Sequence, residues 1–513
     1  MSRSEELVGP AIRTARAADA LVLGAQDTLG TRAAASVPKL VTGIPGFDAV
    51  TMGGLPRRRV TVIAGQAGSA KTVFASHFLA EGIRRGQPGV FVTLEEPAAD
   101  LRANLTTLGW DIQGWEAAGD VAIVDASPLV RDEELPSYNF ETLAAQIGHA
   151  VDATGADRLV LDSLNTALAF EENPAIARQR LRGLIASLRG MGLTVVMTVE
   201  TPGDPGSTLS RHGIEEFVAD CVVLLRHVHE GIVRRRSVEV LKMRGAMHRK
   251  GDHAFTVLPG QGVVVLPQPV ISQGQAIAPV RTTTGNAGLD AMTHGGIFQD
   301  STVLVTGPTG SGKTLVCTEF LAGAAEQGER VLMLSYDEGP DQLFRHAAGW
   351  GKDFAGYQEA GLLEFVALYP EVASLDDHLV EIMDRIDQFR PTRIALDSLT
   401  SLQRVGSPAS YRQFVVGLSA YLKQEQIACL LTLTSTNMPG QISPYDLDVL
   451  STTDGLIRLQ YAETGSEVQR AVTVLKLRGT SHDHQIRRYT ISDQGLEIGE
   501  PSRGSRAGAL RDA

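Results

Sequence analysis

The chain repeats itself: five matched blocks occur in the same order in its two halves. In the first half the blocks read TGIPGFD, then GGL with VTVIAGQAGSAKT, then VTLEE, RLVLDSL and LKMRG. In the second half they read TGNAGLD, then GGI with TVLVTGPTGSGKT, then LSYDE, RIALDSL and LKLRG. Five blocks in a shared order do not arise by chance, and they indicate one kind of domain built twice.

The boundary between the copies is marked by composition. Prolines and glycines cluster at residues 259–280, which is typical of a linker. The N-terminal stretch is rich in Ala and Arg and is predicted to be a weakly ordered extension, with a partner-binding helix as the alternative. The predicted order is extension, first domain, linker, second domain and disordered tail, at residues 1–36, 37–265, 266–280, 281–498 and 499–513.

Each copy alternates strand-like and helix-like patterns. The β-branched runs Val60–Ala64 and Thr302–Thr306 each end at a glycine-rich loop, and a helical pattern follows each loop. A second strand-like run then follows each helix. Such alternation predicts an α/β fold with a mostly parallel sheet flanked by helices.

Composition narrows the functional classes. The formal net charge is −12 and the pI is about 5.5, which disfavours sequence-independent binding of nucleic acid. The three cysteines are far apart in the sequence, so no metal-binding Cys pair or disulfide framework is expected and a reducing cytoplasm is predicted. The chain contains no apolar run of about 18 residues, so no membrane span is expected.

The second glycine-rich loop, GPTGSGKT, matches the phosphate-binding P-loop pattern in full. Its glycines let backbone N–H groups face phosphate oxygens, and the following helix adds its positive end. Lys313 is expected to reach the β- and γ-phosphates, and the Thr314 hydroxyl to hold Mg²⁺. The predicted nucleotide-binding residues here are Gly307, Thr309, Gly310, Ser311, Gly312, Lys313 and Thr314.

The first loop, GQAGSAKT, departs from the pattern at one position, where Ala70 replaces the second signature glycine. Alanine is a good helix former, so the loop is expected to survive provided that Ala70 has a negative φ. Nucleotide binding is predicted here too. The residues are Gly65, Gly68, Ser69, Ala70, Lys71 and Thr72, with Thr72 as a metal ligand.

Carboxylates follow the apolar strands of both copies. Asp162 and Asp397 each end a strand, as a Walker B residue does, and are predicted to hold the metal beside the P-loop. The alternative is an Asp that caps a loop. The adjacent pairs Glu95-Glu96 and Asp337-Glu338 are predicted to polarise the group that attacks the γ-phosphate. Their alternative is a solvated acidic turn.

A basic block lies near the end of each copy. A Lys and an Arg two residues apart on a strand project to one face. Such a pair can stabilise charge on the γ-phosphate of an adjacent subunit's nucleotide, and the alternative is an ordinary basic strand face. The predicted residues are Lys242, Arg244, His248 and Lys250 in the first copy, and Lys476, Arg478 and His482 in the second.

Together these blocks resemble the KaiC family, the tandem RecA-like ATPases best known from the cyanobacterial circadian clock. The resemblance extends from about Val41 to Gly499. Its specific motifs include GVFVTLEEP at 89–97, LGWDI at 108–112, DSLTSL at 397–402, RQFVVGL at 412–418, LQYAE at 459–463, LKLRGTSHD at 475–483 and YTISDQG at 489–495.

The resemblance implies two tandem RecA-like P-loop NTPase domains in a double-ring homohexamer, with ATP and Mg²⁺ bound between subunits. It implies slow ATP hydrolysis in the first tier, with Glu95 and Glu96 as catalytic carboxylates. It implies autophosphorylation on Ser or Thr in the second tier, with Glu338 as general base beside Asp337. The two Lys-x-Arg pairs match family residues that reach the neighbour's nucleotide.

The chain departs from the family pattern in three ways. The family's paired Ser-Thr phosphoacceptors fall on Leu450 and Ser451, so Ser451 is the predicted acceptor, with Thr452 and Thr453 as fallbacks. Asp337 is one methylene shorter than the glutamate that the family has there. The chain also stops soon after the ISD block, so the long segment that binds the clock's activator protein is expected to be missing.

Three functions are compatible with these residues. The first is an ATPase and serine/threonine autokinase, and the second is a nucleotide-switched signalling ATPase without kinase activity that docks a signalling protein. The third, a RecA-type DNA-dependent ATPase, is disfavoured by the acidic balance. The expected partners are further copies of the chain in a homohexamer and a signalling protein, with no membrane.

Overall fold

The computed structural model describes residues 37–127, 139–168, 173–201, 218–230, 233–266, 280–435, 449–464 and 467–501. They form two compact units that divide near residue 267, and we call these the first and second lobes. The predicted N-terminal extension, residues 267–279 of the predicted linker and the tail from residue 502 lie outside the described residues. The last strand runs to Pro501, which is three residues beyond the predicted end of the second domain.

Among the described residues, the first lobe contains eleven strands and seven helices. Its strands are β1 Lys39–Leu40, β2 Leu55–Pro56, β3 Val60–Gly65, β4 Gly89–Thr93, β5 Val121–Asp125, β6 Arg158–Asp162, β7 Thr194–Glu200, β8 Cys221–Glu230, β9 Val233–Met243, β10 Asp252–Leu258 and β11 Gly262–Val265. Its helices are α1 Phe47–Val50, α2 Lys71–Arg84, α3 Ala98–Thr106, α4 Ile112–Ala118, α5 Phe140–Thr154, α6 Leu164–Leu168 and α7 Pro174–Gly190.

The second lobe repeats this order. Its described strands are β12 Arg281–Thr282, β13 Ile297–Phe298, β14 Thr302–Gly307, β15 Val331–Ser335, β16 Leu363–Ala367, β17 Arg393–Asp397, β18 Ala428–Thr434, β19 Gly455–Thr464, β20 Glu467–Leu477, β21 Arg487–Ser492 and β22 Gly495–Pro501. Its helices are α8 Ala287–Met292, α9 Lys313–Ala325, α10 Pro340–Gly349, α11 Phe354–Glu359, α12 Leu375–Phe389, α13 Leu399–Leu402 and α14 Pro408–Gln424, with a short 3₁₀ turn at Pro370–Val372.

Each lobe is built on one large sheet, and within the described residues each sheet has nine strands. The order is β5-β4-β6-β7-β3-β8-β9-β10-β11 in the first lobe and β16-β15-β17-β18-β14-β19-β20-β21-β22 in the second. Strands β14 to β19 of the second lobe pair in parallel, and the last four strands pair antiparallel. The predicted fold class, tandem RecA-like α/β domains with mostly parallel sheets flanked by helices, is confirmed.

The central strands explain why the sheets hold together. All six residues of β3 are buried, as expected for a parallel strand covered by helices on both faces. The P-loops and the strand-end carboxylates then share one edge of each sheet, because parallel strands all end there. Among the described helices, none is both long and apolar enough to cross a membrane.

A buried arginine begins the Walker B strand of each lobe. Arg158 is 0 % exposed and donates to the carbonyls of Val41 (3.0 Å) and Phe78 (2.6 Å) and to the Gln87 side chain (2.7 Å). Burial lowers the pKa of Arg158 to about 10, so the guanidinium still carries its charge at neutral pH. Arg393 has the same place in the second lobe and pairs with Glu329 at 3.1 Å.

We expect Arg158→Met to lower the unfolding free energy of the first lobe by about 3 kcal/mol, because buried acceptors lose their donor. Arg57→Ala is the matched control, since Arg57 is half exposed and its ion pair with Asp157 is long at 3.8 Å. The unfolding free energy of the Arg57→Ala variant is expected to change by no more than about 0.5 kcal/mol. Calorimetry of the nucleotide-free chain measures both, and equal unfolding midpoints for the two variants would contradict this role.

Candidate nucleotide-binding and catalytic sites

The second-lobe P-loop connects β14 to α9 in the predicted way. A Cβ atom at Gly307 would lie 2.7 Å from the Leu459 carbonyl oxygen, and Gly312 has a φ of +92°. Glycine is therefore strongly favoured at both positions. Lys313 is buried, and its Nζ donates to the carbonyls of Gly307 (3.0 Å) and Pro308 (3.1 Å). The lysine therefore already lies inside the loop, where a phosphate would meet it.

The first-lobe loop has the same arrangement. Lys71 Nζ donates to the carbonyl of Gln66 at 2.9 Å. Burial lowers the pKa of Lys71, and the nearby Glu200 and Asp162 oppose that shift. Helix α2 begins at Lys71 and α9 at Lys313, so both P-loop lysines are the first residue of their helix. The first N–H groups of each helix lack partners within the helix and suit an anion.

Ala70 does not meet the expectation of a negative φ: its φ is +70°, in the left-handed region. The loop survives nonetheless, although an L-amino acid in this conformation carries roughly 1–2 kcal/mol of strain. Gly312 is its counterpart, and a Cβ there would lie 3.0 Å from Ile491 Cδ1. The first lobe has the shorter Val257 at the equivalent position of β10, since Val257 pairs with Val263 as Ile491 pairs with Leu496. This exchange makes room for the methyl group of Ala70.

The Walker B aspartates contact the P-loop helix directly. Thr72 Oγ1 donates to Asp162 Oδ2 at 2.6 Å, and Thr314 Oγ1 donates to Asp397 Oδ2 at 2.6 Å. A second hydroxyl, from Thr198 or Thr432, donates to the other oxygen of each carboxylate. Sequence reasoning missed these two threonines, because they lie on a neighbouring strand outside any motif.

The chemistry of this donor set fits Mg²⁺. Burial raises the pKa of Asp162 and of Asp397, and the threonine hydroxyls partly oppose the shift. A hydroxyl and a carboxylate are the hard oxygen ligands that Mg²⁺ takes beside nucleotide phosphates. A cation there would also stabilise the ionised form of a carboxylate whose burial disfavours it. Thr72 with Asp162 and Thr314 with Asp397 are thus the residues that would hold it.

The first carboxylate of each acidic pair is fixed by a serine from the Walker B block. Ser163 Oγ donates to Glu95 at 2.9 Å, and Ser398 Oγ donates to Asp337 at 2.8 Å. Ser401 is a second donor to Asp337. Ser163 and Ser398 belong to the repeated LDSL block, so the sequence contained a signal for them, whereas Ser401 lies two residues beyond that block. The shorter Asp337 therefore keeps the hydrogen bond that Glu95 makes.

The second carboxylate of each pair meets a residue eight positions further along, on the next helix. Asn104 donates to Glu96, and His346 Nδ1 lies 3.3 Å from Glu338 Oε2. Partial burial raises the pKa of Glu96, and the Asn104 hydrogen bond opposes that shift. The two lobes thus hold their second glutamate with different chemistry. No motif pointed to Asn104 or His346.

The basic blocks lie at the other end of the sheet from the P-loop of their own lobe. Lys242 Nζ donates to the Ala219 carbonyl at 2.8 Å, just before β8 begins. Lys476 Nζ donates to the Leu450 carbonyl at 2.9 Å, and Arg478 donates to that of Ser451 at 3.0 Å. The six residues of β14 separate this end from the P-loop by about 20 Å.

The other predicted residues of the basic blocks lie near these strands. His248 Nδ1 is 3.0 Å from the Arg249 carbonyl, and Lys250 is exposed. The rings of His482 and His484 meet edge to face with their centroids 4.2 Å apart, and burial lowers the pKa of His482. None of these residues lies beside the P-loop of its own lobe.

The predicted acceptor segment lies at this same end of the second-lobe sheet. Residues 449–452 are helical, and the Asp454 N–H donates to the Thr302 carbonyl at the start of β14. Ser451 is exposed, Thr452 is half-buried and Thr453 is 0 % exposed. Burial argues against Thr453 as a fallback acceptor, and Ser451 is the most exposed of the three residues.

We expect Ala70→Gly to strengthen ATP binding to the first lobe and to stabilise that lobe by about 1 kcal/mol, because glycine relieves the positive φ. Gly312→Ala is the reciprocal control, and it is expected to weaken the second site because Ile491 is longer than Val257. Fluorescent ATP titrations in chains with the other P-loop lysine replaced by Ala measure each site. An unchanged first site would contradict the strain at Ala70.

Comparisons with known proteins agree with this geometry. The family model described as "ATPase: KaiC" matches residues 40–270 and again residues 282–503. The "Circadian clock protein KaiC3" of Synechocystis sp. is 46 % identical over 469 residues, covering 91 % of this chain and 93 % of that protein.

Two further relatives are each described as "Circadian clock oscillator protein KaiC". The protein of Prochlorococcus marinus is 42 % identical and covers 90 % of this chain and 93 % of its own length. The protein of Synechococcus elongatus is 40 % identical and covers 90 % of this chain and 89 % of its own length. With both lobes matched and each P-loop beside its Walker B carboxylate, the chain belongs to the KaiC family of ATPases.

Proposed function

We propose that the chain is an ATPase that binds Mg·ATP in both lobes, hydrolyses it in the first and transfers its γ-phosphate to Ser451 of a neighbouring chain in the second. The observation that carries the proposal is the placement of Ser451. It lies at the end of the second-lobe sheet opposite the P-loop, about 20 Å away. A phosphate bound at Lys313 cannot reach Ser451 of the same lobe, so donor and acceptor meet only between chains.

In the first lobe the residues have the roles of a hydrolase. Lys71 binds the phosphates, and Thr72 with Asp162 would hold Mg²⁺, which would supply positive charge beside the phosphates. Glu95 is oriented by Ser163, and Glu96 by Asn104. The raised pKa of Glu96 suits it to accept the proton of the attacking water. The Pγ–O bond to ADP breaks as the bond from water to phosphorus forms.

In the second lobe the nucleophile is a serine hydroxyl. The Ser451 Oγ of one chain forms a bond to the γ-phosphorus held by its neighbour, the bond to ADP breaks, and Glu338 of the neighbour accepts the hydroxyl proton. Lys476 and Arg478 hold the backbone of the acceptor segment, which supports a role in presenting Ser451. The guanidinium of Arg478 is also at the right end of the sheet to approach the same phosphate.

A repeated contact of this kind uses two different surfaces of each chain. Such heterologous contacts close into rings when the rotation permits. The homohexamer is therefore part of the proposal, supported by the family to which the chain belongs. The relatives named as circadian clock proteins support a clock-like or signalling role. A cytoplasmic location and a signalling protein as partner are further parts of the proposal. The three buried free cysteines agree with a reducing compartment.

The second candidate function is a nucleotide-switched signalling ATPase without kinase activity. Leu450 favours it, because one of the two predicted acceptor positions has no hydroxyl. In that case the shape of the ring would differ between its ATP-bound and ADP-bound states, and a partner protein would bind one of the two shapes.

Mixing two inactive variants tests transfer between chains. Lys313→Ala removes the donor site and keeps Ser451, whereas Ser451→Ala keeps the donor and removes the acceptor. We expect phosphate on the Lys313→Ala chain only after mixing with Ser451→Ala and Mg·ATP, as measured by mass spectrometry of the 449–453 peptide. If the wild-type chain gains phosphate but the mixture of the two variants does not, transfer between chains is contradicted. A wild type that hydrolyses ATP and gains no phosphate would support the second candidate function.

Glu96→Gln tests the hydrolytic role in the first lobe. We expect ATP turnover to fall by roughly 10²–10⁴-fold with ATP binding retained, because the amide cannot accept the proton. Turnover is measured in a Lys313→Ala background, which limits hydrolysis to the first lobe. Glu116→Gln is the matched control, since Glu116 pairs with Arg102 outside the site. Equal turnover in the two variants would overturn the assignment of Glu96.

A further inference from the structure

The second glutamate of the second-lobe acidic pair has a buried oxygen without an aligned donor. Glu338 Oε2 is buried, and among the described residues it accepts no hydrogen bond of good geometry. His346 Nδ1 lies 3.3 Å from this oxygen, in the last turn of α10. Whether Nδ1 carries a hydrogen therefore decides how the carboxylate of Glu338 is held.

The first lobe shows what this position supplies. Asn104 lies eight residues after Glu96, as His346 lies eight residues after Glu338. The side-chain amide of Asn104 donates a hydrogen bond to Glu96 Oε1. The helix that follows the acidic pair thus places a nitrogen against the second glutamate in both lobes. An amide in one lobe and an imidazole in the other differ in one respect that matters for chemistry, because only the imidazole can gain a proton near neutral pH.

One hydrogen has to lie between His346 Nδ1 and Glu338 Oε2. An ionised carboxylate only accepts hydrogen bonds, and a neutral imidazole carries hydrogen on one of its two nitrogens. A bare Nδ1 would place two lone pairs against each other. Imidazole also binds a proton more strongly than a carboxylate does in water. The hydrogen therefore belongs on Nδ1, and Nε2 is the nitrogen that gains or loses the second proton.

The surroundings of His346 leave that second proton to exchange with water. The His346 side chain is 37 % exposed, and among the described residues its ion-pair partner is Glu338 alone. The other charged residues of α10 and of the elements packed on it, α11 and β16, are Asp341, Arg345, Glu359 and Glu364. Glu364 pairs with Arg385 at 3.3 Å, and the other three are exposed.

We propose that His346 positions Glu338 for phosphoryl transfer and that a second proton on His346 weakens Glu338 as a base. The proposal rests on the proposed transfer to Ser451. With the Nδ1 hydrogen on Oε2, the Oε1 atom takes the hydroxyl proton of Ser451 while the bond from Ser451 Oγ to the γ-phosphorus forms and the bond to ADP breaks.

The direction of the pH effect follows from charge. A proton on Nε2 places positive charge beside Glu338, which favours the ionised carboxylate and so opposes its uptake of the hydroxyl proton. Histidine side chains in model peptides titrate at about pH 6.5. Transfer is therefore expected to slow as pH falls through that region. Asn104 gains no such proton, so the first lobe lacks this dependence.

Nitrogen-15 NMR of the histidine-labelled, nucleotide-free chain tests the contact without any need for activity. The resonances of His346 are identified by their absence from His346→Asn. At about pH 8, where imidazole is neutral, we expect hydrogen on Nδ1 in the wild type and loss of this preference in Glu338→Ala. A wild-type Nδ1 without hydrogen would overturn the proposal.

The pH profile of transfer tests the consequence. His346→Asn copies Asn104, His346→Ala removes the donor, and His149→Asn is the control because His149 is exposed on α5 of the first lobe. At about pH 8 we expect transfer to be retained in His346→Asn and to fall roughly tenfold in His346→Ala. Thermal melting establishes that each variant is folded.

The decisive quantity is the rate of the wild type divided by that of His346→Asn. Between about pH 8 and pH 5.5 this ratio is expected to fall by roughly threefold or more, whereas the ratio of the wild type to His149→Asn stays constant. A constant ratio for His346→Asn contradicts the proposal.

Failure of the proposed transfer is read separately. A wild type that gains no phosphate at any pH counts against transfer to Ser451 and not against the role of His346. ATP hydrolysis in a Lys71→Ala background, which limits turnover to the second lobe, then supplies the pH profiles of the same variants. The same fall in the ratio is expected there, because Glu338 would accept the proton of water in place of that of serine.

Discussion

The hydrogen bond between a threonine of the P-loop helix and the Walker B aspartate organises each lobe. Thr72 with Asp162 and Thr314 with Asp397 are 2.6 Å apart, and each pair joins the first turn of a helix to the end of a central strand. The buried carboxylate needs donors, and the hydroxyls supply them. The contact fixes where the P-loop lies relative to the acidic pairs. The serine that follows each aspartate, Ser163 or Ser398, donates a hydrogen bond to the first carboxylate of the pair.

The two lobes share this frame and differ around it. The first has a strained Ala70 and a neutral Asn104 beside its second glutamate. The second has Gly312, His346 beside Glu338 and an exposed Ser451 at the far end of its sheet. These differences lie at residues that we assign to nucleotide binding, catalysis or contact between chains, whereas the order of the strands in the large sheet is the same in both lobes. A division of labour between hydrolysis and phosphoryl transfer is compatible with that distribution.

Much of this was accessible from sequence because the chemistry sits in contiguous motifs. The repeat and the strand–loop–helix pattern predicted the fold, and the P-loop lysines, threonines and strand-end carboxylates came together as expected. What the sequence missed depends on tertiary contacts. The φ of Ala70 follows from the path of the loop, and its tolerance depends on Val257 from a distant strand. Thr198 and Asn104 lie in no motif, so only the folded lobe shows what they contact.

The central claim is that nucleotide and acceptor meet only between chains. Cross-linking tests it most directly in a chain with Ser451→Cys and Thr309→Cys, because Thr309 is an exposed P-loop residue and the native cysteines are buried. With a short bifunctional thiol reagent and Mg·ATP, the account predicts a ladder of covalently linked chains and no link within a chain. Cross-linked single chains, with both cysteines joined in one polypeptide and no ladder, would contradict it.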